Sequence, residues 1–489
     1  MKVGDKHLRL VFTSYSIIFA VTKPIKIQKS MGKDSTNSGI PVFGEIVKLL
    51  LKQEINTIAE ELQSDRYTKR LDSYQHLVIM LYAVLGQFNS LRELELGFLS
   101  SATRMNHFGL DYMVRRSTFS DANSRRTPEF FEKVYYKLYD HYKGCLADSR
   151  PVKGTKKPLF IIDSTTISLF SQVFRGVGRN PINGQKKGGI KAHTVIKADE
   201  DVPTFVVMTD AAESDHNLLG KVSLPAGSCV TFDMGYVDYE VWEKFSKSEI
   251  TYITREKKKA RCEVLETLDI PEEDRDAIIS DEIVELSWSR RWKRPMTQEE
   301  LSHRRGRRPK DGIVWVKEKR SGKHKCRRIT KYKDNKEEGT ITFITNELDT
   351  NVSAADICET YRQRWQIETL FKRLKQNFPL KYFLGDSRNA IQIQIWVSLI
   401  AWLLMQVVKS RTKRKWSLSG LVAAVHILLN SYTGLYAFLN TPEKQWLAVI
   451  ESRQKESDNF DANSLFSEMR GPNFECQRTI EAIKAYTND

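Results

Sequence analysis

The chain has 489 residues, of which 40% are hydrophobic, and it carries a formal net charge of +16. A chain of this length is expected to form two to four domains, and its apolar content excludes wholesale disorder. Six scattered cysteines without a C-x-x-C pair argue against a disulfide scaffold and a zinc ribbon, and suit a reducing compartment. The positive charge favours a polyanionic partner, either nucleic acid or an anionic membrane.

Residues 1–36 predict a disordered leader that lies outside the folded domains. Part of this leader, residues 8–22, resembles a signal peptide, but Arg9 interrupts its apolar run and no small-x-small cleavage site follows. We therefore predict that the leader is not essential and that Met31 is an alternative start.

Residues 37–148 predict a helical N-terminal domain, because their apolar residues recur at helical spacing and a serine cap precedes one of the helices. An Arg-rich turn, "RRSTFSDANSRR", leads into the last amphipathic helix of this region. Small helical domains with such turns often bind DNA, so we predict a DNA-binding domain. A helical domain that serves only for packing has the same pattern.

A polar linker at 149–158 is followed by a run of predicted strands that include "LFIIDSTTISLF" and "SCVTFDMGY". The predicted order is three strands, of which the second and third form a hairpin, then helix, strand, helix and strand. This order matches the ribonuclease-H-like layout, an α/β fold with a mixed sheet flanked by helices. We expect Asp163 and Asp233 each to end a strand, with their two strands side by side.

The predicted catalytic core consists of residues 149–254 and 346–385, and residues 255–345 form a β-rich insertion domain between these two parts. Residues 288–333 of the insertion hold 18 Lys and Arg but only 4 Asp and Glu, which favours an arm or groove that follows phosphates. Residues 386–489 are predicted to form a helical C-terminal region. Its apolar run 395–408 is shorter than the roughly 20 residues that span a bilayer, so we expect a buried helix.

The stretch 361–377, "YRQRWQIETLFKRLKQN", predicts one helix that carries five cations and a single acid, Glu368. At 100° per residue, Tyr361, Arg364, Glu368 and Lys375 share a stripe about 60° wide beside the apolar face. A lone carboxylate on a cationic surface repels phosphate unless a divalent cation lies between the two. Mg²⁺ binds carboxylates together with phosphate oxygens, and a pair of such ions drives phosphoryl transfer.

One carboxylate cannot hold two ions, and Asp163 and Asp233 are the candidates for the remaining ligands. Either aspartate alone is more typical of a turn or a cap than of a metal site. Together with Glu368, in this order and on these elements, they indicate a metal-dependent phosphoryl-transfer site. His193 is close to this site in the predicted layout, and we expect it to have a structural role.

The spacing Tyr361-x2-Arg364-x3-Glu368-x6-Lys375 resembles the Y-R-E-K signature of the IS-four family of bacterial insertion-sequence transposases, a branch of the DDE enzymes. "FIIDSTTISL" and "TFDMGYVDYE" are similar to the first and second aspartate motifs of that family. The similarity extends over about residues 37–440, including the N-terminal helical region.

The resemblance implies a DNA transposase that cleaves transposon ends and transfers strands by a cut-and-paste mechanism. Asp163, Asp233 and Glu368 would be catalytic and would hold two Mg²⁺ ions, for which Mn²⁺ is expected to substitute. The expected partners are the terminal inverted repeats and target sites of double-stranded DNA, and a second copy of the chain in a homodimeric synaptic complex. The enzyme would act at the nucleoid of a bacterial cytoplasm, not in a membrane.

The cations and aromatic residues near the site and in the insertion are the predicted DNA contacts: Tyr361, Arg362, Arg364, Lys372, Lys375, Arg304, Arg305, Arg307, Arg308 and Trp292. Met234 departs from the pattern, since many members of the family have Arg after the second aspartate. Two alternatives stay open: a catalytically inactive or domesticated DNA-binding protein, and a ribonuclease-H-type nuclease. The nuclease accounts for the core but not for the Tyr-Arg-Lys stripe or the basic insertion.

Overall fold

The computed structural model describes residues 39–146, 152–169, 173–179, 186–257, 260–297, 313–333 and 339–444, together with 447 and 450. Its N-terminal part is helical, as predicted. Side-chain caps begin two of these helices: Asp72 accepts a hydrogen bond from Gln75 N–H at 2.6 Å, and Ser90 accepts one from Glu93 N–H at 3.2 Å. The six helices are α1 (Val42–Val47), α2 (Lys52–Glu61), α3 (Ser73–Leu85), α4 (Leu91–Ser100), α5 (Arg116–Arg125) and α6 (Glu129–Leu146).

A mixed sheet of ten described strands forms the centre of the molecule. Its order is β2-β3-β1-β5-β6-β10-β9-β8-β7, and β4 pairs with β3 off this path. The strands are β1 (Leu159–Leu169), β2 (Arg175–Arg179), β3 (Lys186–Lys197), β4 (Pro203–Asp210), β5 (Cys229–Phe232), β6 (Thr251–Arg255), β7 (Arg261–Thr267), β8 (Ile278–Pro295), β9 (Ile313–Tyr332) and β10 (Thr340–Thr345).

Strand β1 lies between β3, to which it is antiparallel, and β5, to which it is parallel. The prediction that the first strand and the strand leading to Asp233 are neighbours is therefore confirmed. The predicted hairpin around 199–203 is also present, as β3 and β4. Together with the flanking helices, this arrangement is a ribonuclease-H-like α/β fold.

Successive residues of β1 face opposite sides of the sheet and enter two different cores. Leu159 and Ile161 pack into the larger core with the N-terminal helices, whereas Phe160 and Ile162 pack into a smaller core. The smaller core also contains α8 (Tyr239–Lys247), which follows the short helix α7 (His216–Leu219). Because each side of the sheet is covered, β1 is apolar on both faces up to Ile162.

After β10, the described part of the chain forms five complete helices, of which the third is the longest. This helix contacts α3, α5 and α6, and the core of the N-terminal helices is continuous with that of the C-terminal ones. The predicted boundaries at 148 and 386 thus do not separate independent cores. The five helices are α9 (Ala354–Arg362), α10 (Trp365–Asn377), α11 (Arg388–Arg411), α12 (Leu418–Leu428) and α13 (Leu435–Asn440).

Helix α11 contains the apolar run for which we predicted a buried helix. It is long and apolar enough to cross a membrane, but 89% of its most apolar window is buried inside the protein. Helices of this kind are common in the cores of soluble proteins, and packing of α11 against α3 and α6 accounts for its composition.

The strands of the insertion extend the core sheet. Strand β10 pairs with β6 and also with β9, so hydrogen bonding continues from the core into β9, β8 and β7. The segment for which we predicted a β-rich insertion thus contains β7, β8, β9 and β10. Strands β8 and β9 are paired along most of their length and form a long two-stranded ribbon, the β8–β9 arm.

Candidate active site

Asp163 and Asp233 occupy neighbouring positions on two parallel strands. The register pairs Ile162 with Phe232, and each aspartate is the next residue. Adjacent strands are about 4.8 Å apart, so the two aspartates lie side by side at this edge of the β1–β5 pairing. Asp233 follows the end of β5, as predicted, and its backbone carbonyl accepts a hydrogen bond from Tyr236 N–H at 3.0 Å. Asp163 does not end its strand as expected, because pairing with β3 carries β1 on to Leu169.

The stretch 361–377 is not the single helix that the sequence predicts. Helix α9 ends at Arg362 and α10 begins at Trp365, with Arg364 at the N-cap position of α10. The N–H groups of Gln363 and Arg364 bond only three residues back, at 3.3 and 3.0 Å, so one tight turn interrupts the α-helical pattern. Periodicity alone does not reveal this turn, because both Gln363 and Arg364 keep helical backbone angles.

Arg364 joins the strand aspartate to the helix glutamate. Its guanidinium donates one hydrogen bond to Asp163 Oδ2 at 3.0 Å and another to Glu368 Oε1 at 2.6 Å. The Arg364 side chain is only 9% exposed, so this charge-assisted bridge lies in a largely dry environment. Glu368 and Asp163 are therefore linked through the Arg364 guanidinium, which lies between the two carboxylates.

The pKa of Asp163 depends on its burial and on the charges around it. Burial is the main factor that raises the pKa of Asp163, to about 6, and the charges of Glu368 and Asp233 raise it further. The N–H of Ser164, which donates to Asp163 Oδ1 at 2.8 Å, and the Arg364 guanidinium oppose this shift but do not cancel it. Burial therefore dominates the shift, and the two neighbouring acids add to it.

Replacing Asp163 with Asn is expected to stabilise the metal-free protein at pH 7.5 by about 3 kcal/mol, and by well under about 1 kcal/mol near pH 4. The folded-state pKa is raised above the unfolded value of 3.8, so ionisation of Asp163 costs stability as the pH rises through about 6. Asparagine does not ionise and can still accept a hydrogen bond from Arg364. Urea unfolding of both proteins between pH 4 and 8 measures the difference, and a gap that does not vary with pH would contradict the assignment.

The other members of the predicted stripe differ in accessibility. Tyr361 is only 4% exposed and packs against Phe343, with the Arg364 guanidinium 5.8 Å from its ring centre. Lys375 is exposed at the far end of α10, and its Nζ donates to Thr166 O of β1 at 2.8 Å. Arg362 and Lys372 are exposed on the same two helices. The stripe therefore combines a buried part around Arg364 with accessible cations.

Trp292 and several cations lie on the β8–β9 arm, which extends from the core sheet. The guanidinium of Arg320 lies over the Trp292 ring, 4.0 Å from its centre. Arg290 donates to Asp238 Oδ2 at 3.2 Å and to Glu240 Oε2 at 2.8 Å, which fastens the arm to the start of α8. The predicted contacts Arg304, Arg305, Arg307 and Arg308 lie outside the described residues.

A second polar cluster, which includes His193, lies on the opposite face of β1 from Asp163. Asp215, which precedes α7, accepts a hydrogen bond from Ser164 Oγ at 3.0 Å. His193 is buried, its Nε2 is 2.9 Å from Thr209 Oγ1, and burial lowers its pKa to about 4. The sequence predicted that His193 lies near the site, but it did not reveal the contacts that Asp215 makes with Ser164 and His193.

Within the part of the chain that the structure describes, no three His, Cys, Asp or Glu side chains already form a metal-binding group. The donor chemistry nevertheless fits hard divalent cations, which bind carboxylate oxygens. The Arg364 guanidinium lies between two of the acids and provides the positive charge at this position. A ribonuclease-H-like sheet that brings acids together in this way is typical of enzymes that transfer phosphoryl groups of nucleic acids.

Comparison with known proteins gives the family. Residues 154–404, just over half of the chain, match the family model described as "Transposase DDE domain". Residues 38–111 match a family described as a domain of unknown function. The chain therefore belongs to the DDE transposase family, whose members are metal-dependent enzymes that cleave DNA, and it is a DNA transposase.

Bacterial relatives agree with this assignment. A putative transposase of Sinorhizobium fredii is 28% identical over 293 residues, which covers 59% of this chain and 70% of the relative. A probable insertion-sequence transposase of Geobacillus stearothermophilus is 22% identical and covers 76% of this chain and 86% of the relative. A putative insertion-sequence transposase of Synechocystis is 24% identical and covers 75% and 88%.

A solved structure of a piggyBac transposase synaptic complex with hairpin DNA is also similar. It covers 88% of this chain and 87% of its own at 12% identity, with a TM-score of 0.36. A score this low adds nothing to what the strand order and the family model establish.

Proposed function

We propose that this protein is an insertion-sequence transposase of the IS-four family that cleaves the ends of its element and joins them to target DNA. The observation that carries the proposal is the acidic site: Asp163 and Asp233 on adjacent parallel strands, with Glu368 linked to Asp163 through Arg364. The Tyr-Arg-Glu-Lys spacing of this site supports membership of the IS-four family.

Asp163, Asp233 and Glu368 are proposed to hold two Mg²⁺ ions, or Mn²⁺ in their place. Bound by these three carboxylates, such ions would supply Lewis-acid activation of the phosphate and of the attacking oxygen. The carboxylates need no proton-transfer role, since their function is to keep negative charge at fixed positions. The presence of three carboxylates beside the single guanidinium of Arg364 supports this assignment.

Arg364 and Lys375 are proposed to position the DNA backbone beside the acids. Arg364 is the residue that separates Asp163 from Glu368, and a guanidinium pairs with phosphate oxygens as readily as with carboxylates. Lys375 adds an exposed ammonium group at the other end of α10, with Arg362 and Lys372 close by in the sequence. Tyr361 would act mainly beneath Arg364, because its side chain is buried.

The β8–β9 arm is proposed as a further DNA-binding surface. Arg291 and Lys319 are directly opposite each other on the two strands, and both are exposed. Their neighbours Arg290 and Arg320 are bound to Glu240, at 2.8 and 3.3 Å, so the arm keeps a defined position while these two cations face solvent. Trp292 and Arg304, Arg305, Arg307 and Arg308 remain predicted contacts.

Replacing both Arg291 and Lys319 with Ala is expected to weaken binding to any duplex DNA and to lower the slope of log affinity against log salt by roughly 1–2. The reason is that each lost phosphate contact releases about one counterion fewer. Fluorescence anisotropy at several salt concentrations measures the slope. The control is the double replacement of Lys244 and Lys247, exposed on α8, which should leave the slope unchanged. An equal loss in both variants would contradict a specific role for the arm.

The function is tested with labelled duplexes that carry the ends of the insertion element, incubated with the full-length protein and Mg²⁺. We expect metal-dependent nicking at the element end, followed by joining to a second duplex. Cleavage that does not depend on the end sequence would support the nuclease instead, and binding without cleavage would support an inactive DNA-binding protein. Synapsis of two ends implies a homodimer in the active complex, and the bacterial nucleoid is the proposed place of action.

A further inference from the structure

We propose that Asp215 is a positioning residue for the metal site, acting through Ser164 on the orientation of Asp163; this inference rests on the proposed function. Asp215 lies outside the three predicted ligands and precedes the short helix α7. Its Oδ1 is 3.0 Å from Ser164 Oγ, 3.1 Å from Lys191 Nζ and 3.4 Å from His193 Nδ1. One carboxylate oxygen thus contacts side chains from both β1 and β3.

Asp215 acts from the side of the sheet opposite to Glu368. Ser164 follows Asp163 in β1, so the two side chains point to opposite faces. The register pairs Ser164 with His193, and Asp215 contacts both side chains of this pair. Asp215 therefore contacts the strand that carries Asp163 from the face opposite to the Asp163 side chain.

The connection to Asp163 is direct. The N–H of Ser164 donates to Asp163 Oδ1 at 2.8 Å, while the hydroxyl of the same serine donates to Asp215. Ser164 is therefore fixed at both its backbone and its side chain. This leaves Asp163 Oδ1 with a defined partner and Asp163 Oδ2 facing Arg364. Partners of this kind orient metal-binding carboxylates, and their loss typically costs 10–100-fold in metal affinity or activity.

The same carboxylate also borders the turn that follows Asp233. A Cβ atom placed on Gly235 would lie 3.7 Å from Asp215 Oδ2. The adjacent Tyr236 is 2% exposed and meets the His193 ring edge-on, with 6.5 Å between the ring centres. Asp215 thus lies between the strand that carries the first aspartate and the turn that begins at the second.

A purely structural ion pair is the competing explanation. Lys191 is 13% exposed, donates to Glu213 O at 3.0 Å and compensates the charge of Asp215. Partly buried ion pairs often contribute little net stability, because desolvation offsets their attraction. The two explanations differ in what the loss of Asp215 changes: only stability, or also the affinity of the site for metal.

The test measures Mn²⁺ affinity by calorimetry and end cleavage by gel assay in the full-length protein with Asp215→Asn, Ser164→Ala or Ser164→Thr. We expect Asp215→Asn and Ser164→Ala each to weaken Mn²⁺ binding about tenfold. The double variant should bind Mn²⁺ no more weakly than the single variant with the lower Mn²⁺ affinity. Ser164→Thr keeps the hydroxyl and should restore affinity. Binding of end DNA without metal should stay unchanged in all three variants.

Asp210→Asn is the matched control, because Asp210 is 27% exposed like Asp215 and pairs with Arg388 at 2.6 Å, away from Ser164. It should leave Mn²⁺ affinity unchanged. If Asp215→Asn lowers only the unfolding midpoint, and Lys191→Met restores that midpoint, Asp215 is structural and the positioning role is overturned. Absence of Mn²⁺ binding and cleavage in the wild type would instead overturn the proposed function and this assignment with it.

Discussion

Replacing Glu368 with Gln is expected to reduce end cleavage and strand joining by at least about a thousandfold, which corresponds to about 4 kcal/mol of transition-state stabilisation. Glutamine has nearly the size of glutamate and its carbonyl oxygen can accept the hydrogen bond from Arg364, so the bridge to Asp163 persists. What is lost is one negative charge in a site proposed to hold two divalent cations. Single-turnover cleavage of a labelled end in Mg²⁺ and in Mn²⁺ measures the loss.

Glu359 provides a matched control one helix earlier. Its side chain is 38% exposed, compared with 34% for Glu368, and it forms a 3.8 Å ion pair with Arg362. Glu359→Gln should cleave at the wild-type rate. Both variants should bind end DNA in the absence of metal, and Glu368→Gln should bind it slightly more tightly because a charge that repels phosphate is gone. Cleavage by Glu368→Gln within tenfold of the wild-type rate would show that Glu368 is not a metal ligand.

The sequence was sufficient to predict the elements that bear the acids, but not the contacts between them. Asp163 and Asp233 follow apolar, β-branched runs, and such runs predict buried strands whatever the rest of the chain does. Adjacency of the two strands followed from the order of elements and is confirmed by the register of Ile162 with Phe232. Local pattern and topology are enough for such a prediction.

The turn at Arg364 and the contacts of Asp215 could not be predicted, because they depend on tertiary structure. A helix with one tight turn has almost the same periodicity as an unbroken helix. The sequence pattern therefore predicted a single helix for residues 361–377. The bridge from Arg364 to Asp163 spans 201 positions, and the bond from Ser164 to Asp215 spans 51. Composition likewise did not show that β10 joins the insertion to the core sheet, since strand pairing leaves no local signature.

Replacing Arg327 with Met is expected to destabilise the protein by about 3–5 kcal/mol, the largest stability effect that we predict for a single change. Arg327 of β9 is 2% exposed and makes a two-pronged contact with Asp281, which is also 2% exposed: Nε to Oδ1 at 2.8 Å and Nη2 to Oδ2 at 2.6 Å. Methionine fills much of the same space but leaves Asp281 charged, buried and unpaired. The midpoint of urea unfolding, followed by tryptophan fluorescence, measures the loss.

Arg328 is the control for this prediction, because it is the next residue of β9 and pairs with Glu282, the next residue of β8, at 2.6 Å. Its side chain is 23% exposed, so Arg328→Met should cost about 1 kcal/mol or less. Combining Arg327→Met with Asp281→Leu should recover most of the loss, because no unpaired charge remains buried. If Arg327→Met and Arg328→Met lowered the free energy of unfolding by the same small amount, burial of the Arg327–Asp281 pair would not determine its contribution to stability.

Arg327 also contacts the segment that leads to the active-site helices. Its Nη1 donates to Asp349 O at 3.1 Å and to Val352 O at 2.8 Å, in the segment that leads into α9. Helix α9 ends in the turn that carries Arg364. Buried Arg327 therefore contacts both the β8–β9 arm and the segment that leads, through α9, to the helix of Glu368. Arg327→Met should therefore lower the cleavage rate at temperatures where the protein is still folded, whereas Arg328→Met should not. A normal rate in folded Arg327→Met would mean that the segment 349–352 holds α9 in place without this arginine.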